Sequence, residues 1–178
     1  MEDSEYIITF TGRRFWPLNP RIEDLCLADI AHALARKCRW GGHTRVTYSV
    51  AQHSVHVSQL VAQPCKRWAL LHDAAEAYLP DICRPIKQRY PELVAAEERI
   101  LALVCRRWSL PPVMPPEVKY ADDTMMVTEA RDLMGFDVAA DARTTGKPPV
   151  ADSRLVCPWS DESAEHVFLR TAAALSIE

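Results

Sequence analysis

The feature that most restricts how this chain can fold is a helical apolar rhythm from Asp24 to Met134, cut into lengths by proline. Leu27, Ile30, Ala31, Leu34 and Cys38 form a first stripe that ends at Gly41-Gly42. A second helix opens on Ser49 as N-cap, with Gln52 completing a capping box, and runs to about Val61 with Val50, Val57, Leu60 and Val61 facing inward. A third follows Pro64 and is stopped by Pro80. A fourth starts at Pro91, with Leu93, Val94, Ile100, Leu101, Val104 and Trp108 as its apolar residues. Beyond the rigid connector Pro111–Pro116, a fifth runs from about Glu117 to Met134 with Val118, Met125, Met126 and Leu133 inward. Ser160, with Asp161 and Glu162 behind it, caps a last amphipathic helix bearing Val167 and Phe168. Residues 6–18 differ: two β-prone aromatic runs flank Thr11-Gly12-Arg13-Arg14, the pattern of a short hairpin or an extended arm. The expectation is an all-α helical bundle of about six helices with a short extended or hairpin N-terminal arm. It forms one domain over 1–178: arm 1–23, core 24–134, long loop 135–159 and C-terminal helix 160–178. Segment 135–158, irregular and rich in Gly, Pro, Asp and Arg, reads as a lid or insertion.

A net charge of -3 argues against a nucleic-acid polymer or a membrane surface as the main partner. It leaves room for a local basic pocket that takes a small phosphate. The six cysteines, at 26, 38, 65, 83, 105 and 157, contain no Cys-x-x-Cys pair. Cys38 and Cys105 fall on apolar helix faces, so all six read as reduced, buried small hydrophobes. The start, Met-Glu-Asp-Ser-Glu, lacks a signal-peptide pattern, and no apolar run approaches membrane-spanning length. The chain reads as cytoplasmic and reduced.

Against this background some polar residues stand in the wrong place. His53 shares its stripe with Val50, Val57 and Leu60, and Asp122 lies among apolar residues while Asp123 turns to solvent. In Leu70–Asp81, His72 and Asp73 occupy adjacent columns of an apolar helix, and Glu76, four residues after His72, shares their face. Burying such groups is costly unless something satisfies them. Two imidazoles and two carboxylates suit zinc, manganese, cobalt or iron, with positions left for water and a substrate oxygen. A hydrolase needs that arrangement, because the ion acidifies water to a pKa of about 7 and neutralises developing charge. Arg39-Trp40 reads either as packing at a helix end or as a phosphate-plus-nucleoside contact. Arg13 and Arg14 are solvated turn residues or phosphate contacts, and His166 is incidental.

The order His53, His72-Asp73, Asp122 on successive helices resembles the HD-domain metal-dependent phosphohydrolases. With Arg39-Trp40, Gln52–Ser54, His72–Glu76, Asp81, Pro85-x-Lys87 and Ala121-Asp122, the chain is similar to the small 5′-deoxynucleotidase branch over residues 24–134. Relatives of that branch include virus-encoded dATP triphosphohydrolases, which would place a virus-encoded chain in host cytoplasm. The resemblance implies that His53, His72, Asp73 and Asp122 bind one or more divalent ions, magnesium included. It implies that Glu76 and Asp81 serve proton transfer and water positioning. Arg39 and Lys87 would hold phosphate oxygens, while Trp40 stacks on sugar or base and crowds a 2′-hydroxyl. It also implies a homo-oligomer and a small nucleotide substrate, first a 5′-deoxynucleoside monophosphate. A triphosphate substrate would engage Arg13, Arg14, Arg45 and Arg84. A non-catalytic module that binds metal or nucleotide is the reading from another class. The arm and residues 135–158 have no counterpart in the branch, and Ala75 stands where some relatives carry a small hydroxyl. These departures bear on substrate choice.

Overall fold

The computed structural model describes residues 5–80, 82–135, 149 and 156–178. Asp81 and nearly all of the expected 135–159 loop lie outside the described residues. Seven α-helices are present among the described residues: α1 (Leu27–Arg36), α2 (Val50–Leu60), α3 (Lys66–Leu71), α4 (Arg84–Lys87), α5 (Pro91–Arg107), α6 (Pro116–Glu129) and α7 (Asp161–Ala174). The molecule is an all-α bundle, with two short strands, β1 (Ile7–Ile8) and β2 (Arg14–Phe15), paired antiparallel as an N-terminal hairpin.

The local chemistry explains most of the boundaries. The Ser49 hydroxyl accepts the Gln52 N–H at 3.1 Å and caps α2. The Gln52 side chain does not complete a capping box, because it is recruited elsewhere: its amide donates to the Cys157 carbonyl at 2.8 Å and accepts the Trp159 N–H at 2.9 Å. Proline sits in the first turn of both α5 and α6, where its missing N–H costs nothing. Beyond Glu129 the helix widens into one π turn, Ala130–Met134, and stops at Gly135 with φ +68°. The Arg45 guanidinium lies where a Cβ on that glycine would be, so Gly135 is required by backbone and by packing alike.

The hairpin is pinned at its tip and its base. The Thr11 N–H and hydroxyl donate to the buried Asp29 carboxylate, at 2.7 and 2.9 Å. Phe15, fully buried, stacks on Tyr78 at 3.8 Å. The main core gathers Phe15, Ile30, Leu34, Val55, Leu70, Leu71, Ile100, Val104 and Phe168, and a second cluster joins Val57, Trp68, Val118 and Met125 between α2, α3 and α6. Helix α7 packs on α1 and α2 with Ala164, Phe168 and Ala172 inward, while His166 faces solvent.

Two expectations need correcting. The stretch from Leu70 to Asp81 is not one helix: α3 ends at Leu71 and a separate 3-10 turn covers Ala74–Ala77. All six thiols are free, but Cys105 alone is buried, and Cys83 and Cys157 are exposed because they lie in the connections before α4 and α7. No described helix is long and apolar enough to cross a membrane.

Because Phe168 is wholly enclosed, Phe168→Ala should destabilise the protein by ~3–5 kcal/mol, whereas His166→Ala should stay within ~0.5 kcal/mol. Urea midpoints at constant m-value measure both; equal effects would mean that α7 is not part of the bundle.

Candidate metal centre

The His-Asp pair sits where α3 ends. His72 retains helical dihedrals as the C-cap of α3, and Asp73 then turns the following chain with φ -100° and ψ 13°. His53, in the first turns of α2, and Asp122, in the middle of α6, face the same point. The Nε2 atoms of His53 and His72 are 3.3 Å apart. Asp122 Oδ1 lies 3.2 Å from the first and 3.9 Å from the second. Asp73 Oδ2 lies 3.3 Å from His72 Nε2 and 3.9 Å from His53 Nε2.

The group of buried His53 and His72 with half-buried Asp122, whose donor atoms all lie within 4.8 Å of one another, could hold a metal ion. Outer contacts set which ring nitrogens face it. His72 Nδ1 lies 2.7 Å from the Ala69 carbonyl, which can only accept, so Nδ1 carries a proton and Nε2 faces inward. His53 Nδ1 donates in the same way to Glu129 Oε1 at 2.5 Å. Asp73 Oδ2 is buried without a hydrogen-bond partner. Two imidazole Nε2 atoms and two carboxylate oxygens gathered so closely are satisfied together only when a cation or protons join them. Tetrahedral bonds of about 2.1 Å put donors about 3.4 Å apart, and the spacings of 3.2–3.9 Å among His53, His72 and Asp122 bracket that value. These three residues fit a metal ion, and Asp73 lies beside the two imidazoles, outside the group.

Glu129, bonded to His53, is the residue of this candidate site that the sequence reading passed over. It is fully buried on the last turn of α6 and accepts from three groups: His53, the Trp40 indole N–H at 3.1 Å, and Arg39 at 3.5 Å. Burial pushes its carboxyl up, but the His53 and Arg39 charges outweigh that and hold it at about 2. Burial and Arg39 push the His53 imidazolium down, yet Glu129 and Asp122 set it at about 9. Burial likewise raises Asp122, and the bond from His53 with the charges of His72 and Lys119 brings it well below the carboxylate range. A signal was available: Glu129 follows Asp122 by seven residues, two turns along the same face of α6.

The other expected site residues separate into two groups. Arg39 is at the centre, 3.8 Å from Asp73 and 3.5 Å from Glu129. Trp40 stands beside it on a 3-10 turn, Arg39–Gly42, in which Trp40, Gly41 and Gly42 all take positive φ, 58°, 58° and 80°. An aromatic residue there costs ~1–3 kcal/mol, which the bond from its indole to Glu129 offsets. Glu76 and Lys87 line a separate small cavity with Leu79, Pro80, Ile82, Leu93 and Glu97, and Lys87 pairs with Glu97 at 2.6 Å. Since α3 ends before it, Glu76 does not share a helix face with His72 and Asp73, although its charge still raises Arg39. Asp123 was expected in solvent and is buried instead: Lys119 folds over it at 2.7 Å and also bonds Asp122 Oδ2 at 3.1 Å. Arg13 and Arg14 are engaged on the arm, with the Glu23 carbonyl and the Tyr6 ring.

No family model matches the chain. It is 46% identical over 132 residues, 74% of each chain, to the uncharacterized protein YfdR of Escherichia coli. It is 39% identical over 152 residues, 78% of each chain, to the uncharacterized protein RCAP_rcc00048 of Rhodobacter capsulatus. The chain belongs to the family of these two proteins.

A metal ion held by this group would compete with the proton on His53. That proton is held up to about pH 9, so each ion bound would displace one below that value and none above it. The affinity for zinc or manganese should therefore rise about tenfold per pH unit and level off near pH 9. Calorimetry in buffers of different ionisation enthalpy counts the released proton; a pH-independent affinity would place the ion elsewhere.

Proposed function

We propose that the protein is a metal-dependent phosphohydrolase of the HD type that removes phosphate from nucleotides, with 5′-deoxynucleoside monophosphates as the first candidates. The observation that carries this reading is the convergence of His53 and His72 Nε2, Asp73 Oδ2 and Asp122 Oδ1 from three helical elements, with Asp73 Oδ2 buried and unsatisfied. These four residues would hold the ion, Asp73 completing the set. A divalent ion so held supplies Lewis acidity toward a phosphoryl oxygen and lowers the pKa of water.

The chain's own residues account for the rest. Arg39, kept charged by Glu129, Asp73, Asp122 and Glu76, presents a guanidinium beside the donor set, where it can pair with phosphate oxygens as negative charge develops. Trp40 beside it offers a ring face to the sugar or base. Glu76 is the acid-base candidate within electrostatic reach of Arg39. Lys87 is the second phosphate cation on this reading; it lies in the cavity beside Glu76, where it pairs with Glu97. A monophosphate is favoured over a triphosphate because Arg13 and Arg14 are engaged on the arm and Arg45 lies over Gly135.

Incubation of the metal-loaded protein with dAMP and with dATP, followed by chromatography, tests the reaction. The expected result is deoxyadenosine and orthophosphate from dAMP. Release of triphosphate or successive phosphates from dATP would move the substrate to triphosphates. Asp73→Ala should lower turnover by more than ~100-fold, beyond what the loss of an outer-sphere partner costs, with an unchanged melting curve. Nucleotide binding without turnover of any base would favour the non-catalytic module.

A further inference from the structure

The two oxygens of Glu129 face in different directions. Oε1 takes the proton of His53 Nδ1, whereas Oε2 takes the Trp40 indole N–H and lies against Arg39. One carboxylate, wholly excluded from solvent, thus fixes the orientation of a metal-facing imidazole and closes the left-handed turn that carries Arg39 and Trp40. We infer that Glu129 is a positioning residue that couples the metal centre to the nucleotide-contact turn, so that ion affinity and turn geometry depend on each other. The inference rests on the metal-centre reading above and adds to it a role for a side chain outside the ligand set.

The physical argument has two steps. A histidine ligand donates well when its remote N–H is held by a fixed acceptor, and losing such an acceptor weakens metal binding by ~10–100-fold. Glu129 is a fixed acceptor only while its other oxygen is anchored, because a buried carboxylate with one free oxygen rotates toward whatever donor remains. Trp40 provides that anchor from a backbone conformation it would leave if the bond were lost. Coupling of this kind is reciprocal: what the turn does to ion affinity, the ion does to the turn by the same factor.

Cobalt(II) is the probe, because its visible bands report coordination as well as affinity. Three variants are titrated beside wild type: Trp40→Phe, Glu129→Gln, and the double variant. Trp16→Phe, on the arm and without contact to Glu129, is the control. Glu129→Gln should weaken cobalt binding by ~10–100-fold. Trp40→Phe, which removes the indole donor and keeps a ring, should weaken it several-fold and shift the bands without altering any ligand. The double variant should match Glu129→Gln alone, since both changes act through one carboxylate. If Trp40→Phe binds cobalt as wild type does, or if the two effects add, the coupling is overturned while the metal centre stands. If wild type binds no cobalt, the metal centre falls and the coupling with it. Should Glu129→Gln fail to fold, Trp40→Phe with Trp16→Phe still decides, because neither changes a buried charge.

Discussion

An ionised carboxylate sealed in the protein must have its charge answered nearby, and Glu129 has that need at the point where α2, α6 and the Arg39 turn meet. An imidazole, an indole and a guanidinium meet it together. Each comes from a different side chain and two separate stretches of the chain supply them, so satisfying one carboxylate fixes those stretches against α6. The helices are held together by ordinary apolar packing. The facing of α2 and α6 toward each other is further constrained by this carboxylate and by the donor cluster beside it.

The cluster takes its other members from the end of α3 and the middle of α6. His72 closes α3, and Oδ2 of the next residue, Asp73, lies 3.3 Å from its Nε2. Asp122 stands midway along α6, where Lys119 takes its second oxygen. The donors are thus oriented by contacts outside the set: the Ala69 carbonyl for His72, Glu129 for His53 and Lys119 for Asp122.

Much of this was legible in the sequence. Apolar periodicity and proline placement define the bundle, and the hairpin follows from β-prone runs around a glycine turn. His53 and Asp122 stand out because they interrupt apolar stripes. What failed to show has physical causes. The end of α3 has no local signal, since Ala74, Ala75 and Ala77 are good helix formers. Asp123 sits in a polar pocket roofed by Lys119, a long side chain whose reach periodicity does not register. Glu129, between Thr128 and Arg131, has the composition of a solvated helix end, and its partners are 76 and 89 residues away in the chain. Trp40 reads as packing or stacking; neither its left-handed backbone nor the bond made by its indole has a local signature.

The side chains of Gln52 and His53 are neighbours in sequence but serve different sides of α2: the glutamine clasps Cys157 and Trp159, the histidine faces the donor cluster. On a helix that division of labour depends on phase. Inserting or deleting one residue between the Ser49 cap and His53 would turn both side chains by about 100°, so the amide would lose the C-terminal segment as the ring left its place. The seven-residue interval between Asp122 and Glu129 imposes the same rule on α6. Relatives of this chain can therefore diverge in residue identity along these helices far more freely than in their length, and insertions belong in the connections, away from both intervals.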